Sequence, residues 1–334
     1  MVDNQSGVGA YAPGVKTLET EFEARNRIVK ECLRDDAKRA KMNEAMAETI
    51  GREVYDHSLA RVLLMPHIVK DGKCPAYSES GGAPVVVVHL VEEEERVLGC
   101  RAFRDSVREE ESVRTVRDIE FLAVRGGGIR PSSFPLHNVF TLRWPDLNGD
   151  AFNRVAQARV RMRDSLAADE TRVALRALAW VTARYGKVLW AGSMAGAEGA
   201  IEAAVVAVGT DNHPIIVCSK KSAIEAVEFF DLINDHVGFC IGDGSLMVPV
   251  HINDSIPDHA VYVVPSGKNL GEMPIFIQPT VKDYDKAERL IKGWQVFQDQ
   301  GMIFTGGRRT RVVLVGWRGL VEAVKILARR LTSW

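Results

Sequence analysis

The sequence predicts an α+β fold, and three observations carry that reading. A stretch of about 35 residues at 151–185 has neither Gly nor Pro and is long enough for one helical rod. β-Branched runs such as Val85-Val86-Val87-Val88 and Ile215-Ile216-Val217 mark strands, set among helical stretches. The 334 residues are 46% hydrophobic and 26% charged, a balance that supports a sizeable core and excludes collagen-like, disordered and disulfide-scaffold classes. Lys and Arg total 43 against 44 Asp and Glu, so a net charge of −1 does not drive the whole molecule onto nucleic acid or anionic lipid. No apolar run approaches the ~20 residues of a bilayer span, and residues 1–14 lack the basic-then-apolar order of a signal peptide. A soluble protein with no membrane partner is expected.

Taken in order, residues 1–13 are rich in Gly, Ser, Asn and Pro, the composition of an arm that does not pack alone. Residues 18–53 then read as one long helix whose thin apolar stripe (Phe22, Ile28, Val29, Leu33, Met42, Met46, Ile50) suits packing across another surface or another chain. Residues 54–69 are a strand or short helix. A turn at Lys70-Asp71-Gly72-Lys73 opens a long two-stranded excursion through Val85–Val88 and the charge-dense run 101–130, a composition that supplies no core of its own. Asn148-Gly149-Asp150 starts the 151–185 helix. A second region follows, with a helix at 195–208, a strand at 215–217, a helix at 222–235, and strands at 247–252 and 260–264. Strands at 273–278, 293–300, 302–304 and 311–315 lead to a terminal amphipathic helix over 319–331.

No catalytic, cofactor or metal site emerges from the motifs. The five cysteines, Cys32, Cys74, Cys100, Cys218 and Cys240, form no CxxC pair and are odd in number, so they read as reduced thiols, and no histidine lies at ligand spacing from another. Asp146-Leu147-Asn148-Gly149-Asp150 resembles half a calcium loop but lacks the later Gly and Glu, which leaves a helix-capping turn. Gly242-Asp243-Gly244 lacks the third glycine of a dinucleotide fingerprint, and Gly126-Gly127-Gly128 is followed by Ile-Arg-Pro instead of a phosphate-binding helix start. Ser193 has no GxSxG frame, and the acid clusters 92–95 and 109–111 read as a solvated face.

The order of elements resembles the major capsid proteins of tailed phages, the Hong Kong 97 fold family. The resemblance is most specific from Ile215 onward. Ile215-Ile216-Val217-Cys218 with the following helix is similar to the strand and helix that open the family's A-domain. Gly244–Val250 and Ile256–Val263 resemble its strand pair, and Gly293-Trp294-Gln295-Val296-Phe297 resembles the start of the long P-domain strand. The N-terminal half matches in layout.

The resemblance implies an N-terminal arm and helix over 1–53, and a P-domain over 54–69 and 126–186 with its spine helix at about 151–185. It implies an E-loop over 70–125, an A-domain over 187–272, P-domain return strands over 273–304, and a C-terminal A-domain strand and helix over 305–334. It implies a non-enzymatic chain that assembles with itself, as hexamers and pentamers, into an icosahedral head in the host cytoplasm. The partners it implies are a portal, a separate scaffold protein, weakly held double-stranded DNA and an optional decoration protein. No cofactor is implied. This chain departs from some relatives in starting without a long cleavable N-terminal domain and in carrying a basic helix after its last strand.

Under that reading Arg104, Arg108, Arg117, Glu109 and Glu110 are candidate intersubunit contacts on the excursion, and Arg329 and Arg330 are candidate inner-face basic residues. From Gly301 to Trp334 seven basic residues stand against the single acid Glu322, so the terminal helix faces packaged phosphates, a neighbour's acidic strip or solvent. An encapsulin shell holding cargo enzymes is the alternative of the same fold, and an α/β enzyme with an unrecognised site is the alternative of another class.

Overall fold

The computed structural model describes residues 20–70, 74–77, 84–92, 96–98, 112–114, 117–124, 129–131, 133–233, 236–241, 246–285 and 291–332. Helices and strands are both abundant, as the α+β reading expects. Helices α1 (Glu21–Arg34) and α2 (Asp36–His57) stand where the pattern predicts one. The break is Asp35, whose extended backbone (φ −111°, ψ 115°) leaves the helix while its carboxylate accepts the Lys38 N–H at 3.0 Å. Upstream, Thr20 and Glu23 form a reciprocal capping box that starts α1. Short α3 (Leu59–Leu63) and β1 (Met65–Ile68) follow.

The excursion holds β2 (Val85–Glu92), β3 (Arg96–Leu98), β4 (Ser112–Arg114) and β5 (Arg117–Val124). The chain returns through β6 (Phe134–Arg143) into α4 (Trp144–Tyr185). Asp150 interrupts α4 with non-helical angles (φ −143°, ψ 60°), and its carboxylate accepts from the Asn153 backbone and side chain at 3.3 and 3.0 Å. The calcium-like run thus serves as the cap of the 151–185 rod, which at 1.5 Å per residue is roughly 50 Å long.

Next come β7 (Lys187–Ala191), α5 (Glu198–Val208), β8 (Ile215–Cys218), α6 (Lys220–Glu225), β9 (Phe230–Ile233), β10 (His236–Ile241), β11 (Leu246–Ile252) and β12 (Ala260–Val264). The last elements are β13 (Gly271–Asp283), β14 (Ile291–Gln300), β15 (Ile303–Phe304), β16 (Arg311–Val315) and α7 (Gly316–Thr332). The helix expected over 222–235 stops at Glu225. Its apolar residues belong instead to an aromatic cluster in which Phe229, Phe230 and Phe239 meet edge to face at 5.0–6.0 Å. Strand pairing takes over there, with Phe230–Ile233 antiparallel to His236–Phe239.

Two seven-stranded sheets result. The first runs β5-β2-β15-β13-β14-β6, with β1 parallel to β13, and the second runs β7-β16-β12-β8-β11-β10-β9. The rod lies between them. Its Ala158, Met162, Leu166, Leu178 and Val181 share one core with Phe134, Leu142, Trp294 and Val296 of the first sheet and with Ile215, Val217, Tyr262 and Leu314 of the second. The alternate residues of the second sheet, Ile216, Cys218, Val261 and Val313, pack on the other face beneath Ile201 and Val205 of α5. The first helices also belong to this body: Leu33, Met46, Ile50 and Val54 are buried in the same core, while Phe22 and Ile28 of the stripe stay exposed.

A buried ion pair ties α3 to the rod. Arg61 Nε and Nη2 donate to Glu170 at 3.0 and 2.8 Å, Nη2 also reaches Gln298 at 3.1 Å, and Gln298 donates back to Glu170 at 2.6 Å. Glu170 is fully buried. A half-broken pair leaves a charge in the core, so Glu170→Ala should lose roughly 3–5 kcal/mol of unfolding free energy. Urea denaturation of the full chain followed by circular dichroism checks this, and a loss under ~1 kcal/mol would contradict it.

Candidate functional site

The surfaces by which this chain could meet another copy are built on three features: the excursion, its root, and the terminal helix. In the excursion β2 and β5 pair antiparallel from Val85 opposite Val124 to Glu92 opposite Arg117. The root is core. Val85, Val86, Val87 and Val88 are at most 1% exposed, and β15 pairs with β2 at Val86 and Val87. The expectation that 70–125 supplies no core is therefore corrected at its base, because four β-branched residues there complete the first sheet. Arg117 stands at the outer end of the ribbon, opposite Glu92 in register. Arg104, Arg108, Glu109 and Glu110 lie outside the described residues, as do the Gly126 and Gly242 turns.

The base of the excursion is clamped by a contact the sequence reading passes over. Tyr77 and Ile129 exchange backbone hydrogen bonds at 2.8 and 2.9 Å, bridging the chain where it leaves and re-enters the body. The Tyr77 hydroxyl donates to Glu272 of β13 at 2.8 Å, and His67 Nδ1 lies 3.5 Å from the same carboxylate. Burial, then the hydrogen bond to Glu272, pushes the Tyr77 phenol up, so it stays a donor, and burial likewise pushes up the neighbouring Cys74 thiol.

A second polar cluster pins α2 to the first sheet. Arg39 is 1% exposed, and both its terminal nitrogens reach the Asp285 carboxylate, Nη2 at 2.8 Å. Its Nη2 also donates to the Gly293 carbonyl at 3.1 Å, and its Nε lies 2.7 Å from Asp283. Asn43 donates to Asp283 at 2.6 Å and Lys292 to Asp285 at 2.7 Å. Burial works to raise the Asp285 pKa, but hydrogen bonds from Arg39, Lys292 and the Gly293 N–H outweigh it and hold the carboxyl at about 2. A folded pKa below the unfolded one stabilises above about pH 4, and that contribution is lost as pH falls toward 2. Thermal melts from pH 5 to 2 should therefore show Asp285→Asn less stable than the parent at pH 5 and nearly equal to it at pH 2. A constant gap across the window would contradict the assignment.

The terminal helix separates its two candidate residues. Arg330 Nε donates to the Ala183 carbonyl at 2.6 Å, and Nη2 donates to Thr182 and Gly186 at 3.0 and 2.8 Å. These carbonyls lie in the last turn of α4 and just past it, where a helix runs out of intrahelical donors, and Thr182 also accepts the Gly186 N–H at 2.9 Å. A guanidinium there satisfies them and meets the negative end of the helix dipole. The two inner-face candidates thus differ in setting: the Arg330 donors are turned into the chain, while Arg329 is exposed. Arg330→Ala should cost about 1–3 kcal/mol. Arg330→Lys should recover only part, because one ammonium does not span three carbonyls, and equal stability of the Lys variant and the parent in denaturation would contradict this.

A cleft of about 450 Å³ lies beside the start of α7, lined by Ser193, Lys221, Glu225, Asp258, His259 and Trp317 among others. Lys221 sits 3.9 Å from both Glu225 and Asp258, so its charge is balanced locally. Ser193 Oγ accepts the Gly196 N–H at 3.2 Å as a turn contact. Among the described residues, no group of three or more His, Cys, Asp or Glu is placed to hold a metal ion, and Cys32, Cys74, Cys218 and Cys240 are not joined in disulfides.

No family model and no curated protein matches the chain. Solved structures do. A virus-like particle from Pyrococcus furiosus matches with 12% identity, 81% of this chain and 99% of that chain covered, and a TM-score of 0.49. The capsid of cyanophage P-SCSP1u matches at 8% identity over 78% and 88% of the two chains, with a TM-score of 0.46. The holo-SrpI encapsulin complex from Synechococcus elongatus PCC 7942 matches at 10% identity over 77% and 86%, with a TM-score of 0.43.

Proposed function

We propose that this chain is the major capsid protein of a tailed phage, a structural subunit that assembles with itself into an icosahedral head around double-stranded DNA. The observation that carries the reading is the conjunction, in one chain order, of a long β ribbon, a roughly 50 Å rod and two separate seven-stranded sheets, the layout that the resemblance to the Hong Kong 97 fold implies. The physical argument supports it. Among the described residues, β15 reaches β2 only at Val86 and Val87, so the outer ribbon is two strands wide. An isolated two-stranded ribbon is marginal in water, and a neighbouring subunit beneath it supplies the missing face. In this reading the ribbon and 70–125 form the E-loop, the first sheet and rod the P-domain, and the second sheet with α7 the A-domain.

The partners proposed are hexamers and pentamers of the chain itself, a portal, a scaffold protein and a possible decoration protein, brought together in the host cytoplasm. A net charge of −1 suits a wall that touches DNA weakly and in a salt-sensitive way, with Arg329 as one contact. The role is structural and non-enzymatic.

Negative-stain electron microscopy of the chain, expressed alone and with its neighbouring genes, tests the reading. Closed shells with nuclease-protected DNA are expected. A monodisperse monomer under both conditions would overturn the shell, and shells filled with an enzyme and no DNA would transfer the chain to the encapsulin class. Joint reversal of Arg104, Arg108 and Arg117 to Glu should block assembly while circular dichroism stays unchanged, and shells at normal yield from that variant would remove those residues from the contacts.

A further inference from the structure

We infer that the outer face of α7 is a docking surface for an acidic amphipathic helix supplied by another protein. The helix is clamped to the body by one narrow face. Ala323 and Ile326 are buried there, and a Cβ on Gly319 would lie 2.7 Å from the Leu314 carbonyl carbon, so the backbone of α7 sits directly on the end of β16. The three Arg330 hydrogen bonds to the end of α4 lie on the same side. These contacts set the rotation of the helix about its own axis, and the remaining apolar residues do not turn inward.

At about 100° per residue, Trp317, Leu320, Val321, Val324, Leu327 and Leu331 fall within an arc of roughly 120° on the side away from that clamp. Five of the six are exposed, Trp317 at 76% and Leu331 at 79%. Such a continuous apolar strip marks an interaction surface. Its open border is basic. Arg318, Lys325 and Arg329 line one edge against the single acid Glu322, which lies 3.5 Å from Lys325. Two copies of α7 packed antiparallel about a two-fold axis would bring these borders to the same side, so like charge disfavours that pairing. The opposite charge on a helical partner satisfies both the strip and its border.

The test uses the full chain and two synthetic helices, each with leucine along one face, bordered in one peptide by glutamate and in its twin by lysine. Binding is read from the blue shift of Trp317 emission, isolated by difference against Trp317→Phe. The glutamate peptide should bind saturably and at least tenfold more tightly than the lysine twin. Val324→Asp with Leu327→Asp should abolish binding. Arg318→Glu, Lys325→Glu and Arg329→Glu together, which leave the apolar arc intact, should reverse the preference between the peptides. Equal binding of the two peptides, or binding of neither, would overturn the proposal. So would a larger shift with vesicles of phosphatidylglycerol and phosphatidylcholine than with the acidic peptide, or self-association of the chain that the arc variant removes. Shell formation, scored separately by electron microscopy, decides the preceding reading and leaves this one standing or falling on its own.

Discussion

The rest of the molecule depends on burying the 151–185 rod. A helix of that length has an apolar face too long for one small sheet, and its stability comes from tertiary packing of that face. Two sheets cover it jointly, with Trp294 and Val296 meeting the rod from the first and Tyr262 and Leu314 from the second. Small residues make the approach close, since Ala158, Ala174 and Ala177 are wholly buried along it. The rod thereby makes the two sheets one body, and the single core cluster that crosses both is the consequence.

Apolar packing alone leaves such a rod free to slide, because one turn of an amphipathic helix resembles the next. Polar staples remove that freedom at separate heights. Glu170 accepts from Arg61 of α3 in mid-rod, Asn26 of α1 donates to the Gly149 carbonyl and accepts the Phe152 N–H at the rod's start, and Arg330 holds the carbonyls at its far end. Each staple joins groups far apart in sequence, and none of its partners is satisfied one turn out of place. The buried Arg61–Glu170 pair need not add net stability to do this, since its desolvation cost offsets most of its attraction. Its effect is on register.

The legibility of the chain follows the same division. Elements whose signal is local could be read directly: the rod from its lack of Gly and Pro, the strands at 260–264 and 311–315 from β-branched runs, and α7 from its periodicity. What was missed depends on backbone breaks and on partners that a periodicity reading does not see. Asp35 looks like one more surface charge until its backbone leaves the helix and caps the next one. Phe229 and Phe230 fit a helical stripe until Phe239 is brought beside them. Strand β6 pairs with β14 over its whole length, yet its own sequence carries no strong alternation. Among the candidate contact residues, Arg329 and Arg330 are indistinguishable as adjacent basic residues, and only the position of the α4 terminus separates them. Tyr77 and Glu272 had no signal at all, because neither residue type predicts the other across the intervening chain.

The division between satisfied and unsatisfied surface bears on how the chain works. Its body is well tied together: apolar clusters lie on both faces of the second sheet, the rod is stapled along its length, and Leu33 of α1 and Met46, Ile50 and Val54 of α2 join the core. Among the described residues, two surfaces stand out, the two-stranded outer ribbon and the exposed apolar face of α7, and each is held on a rigid mount. The ribbon is rooted in four buried valines and clamped through Tyr77, while α7 is fixed by Gly319 and Arg330. A mobile element would lose entropy on binding in proportion to its freedom, and a mounted one has already lost it during folding. Placing incomplete surfaces on rigid supports therefore lowers the cost of each contact with a neighbour, which is what repeated weak contacts in a shell require.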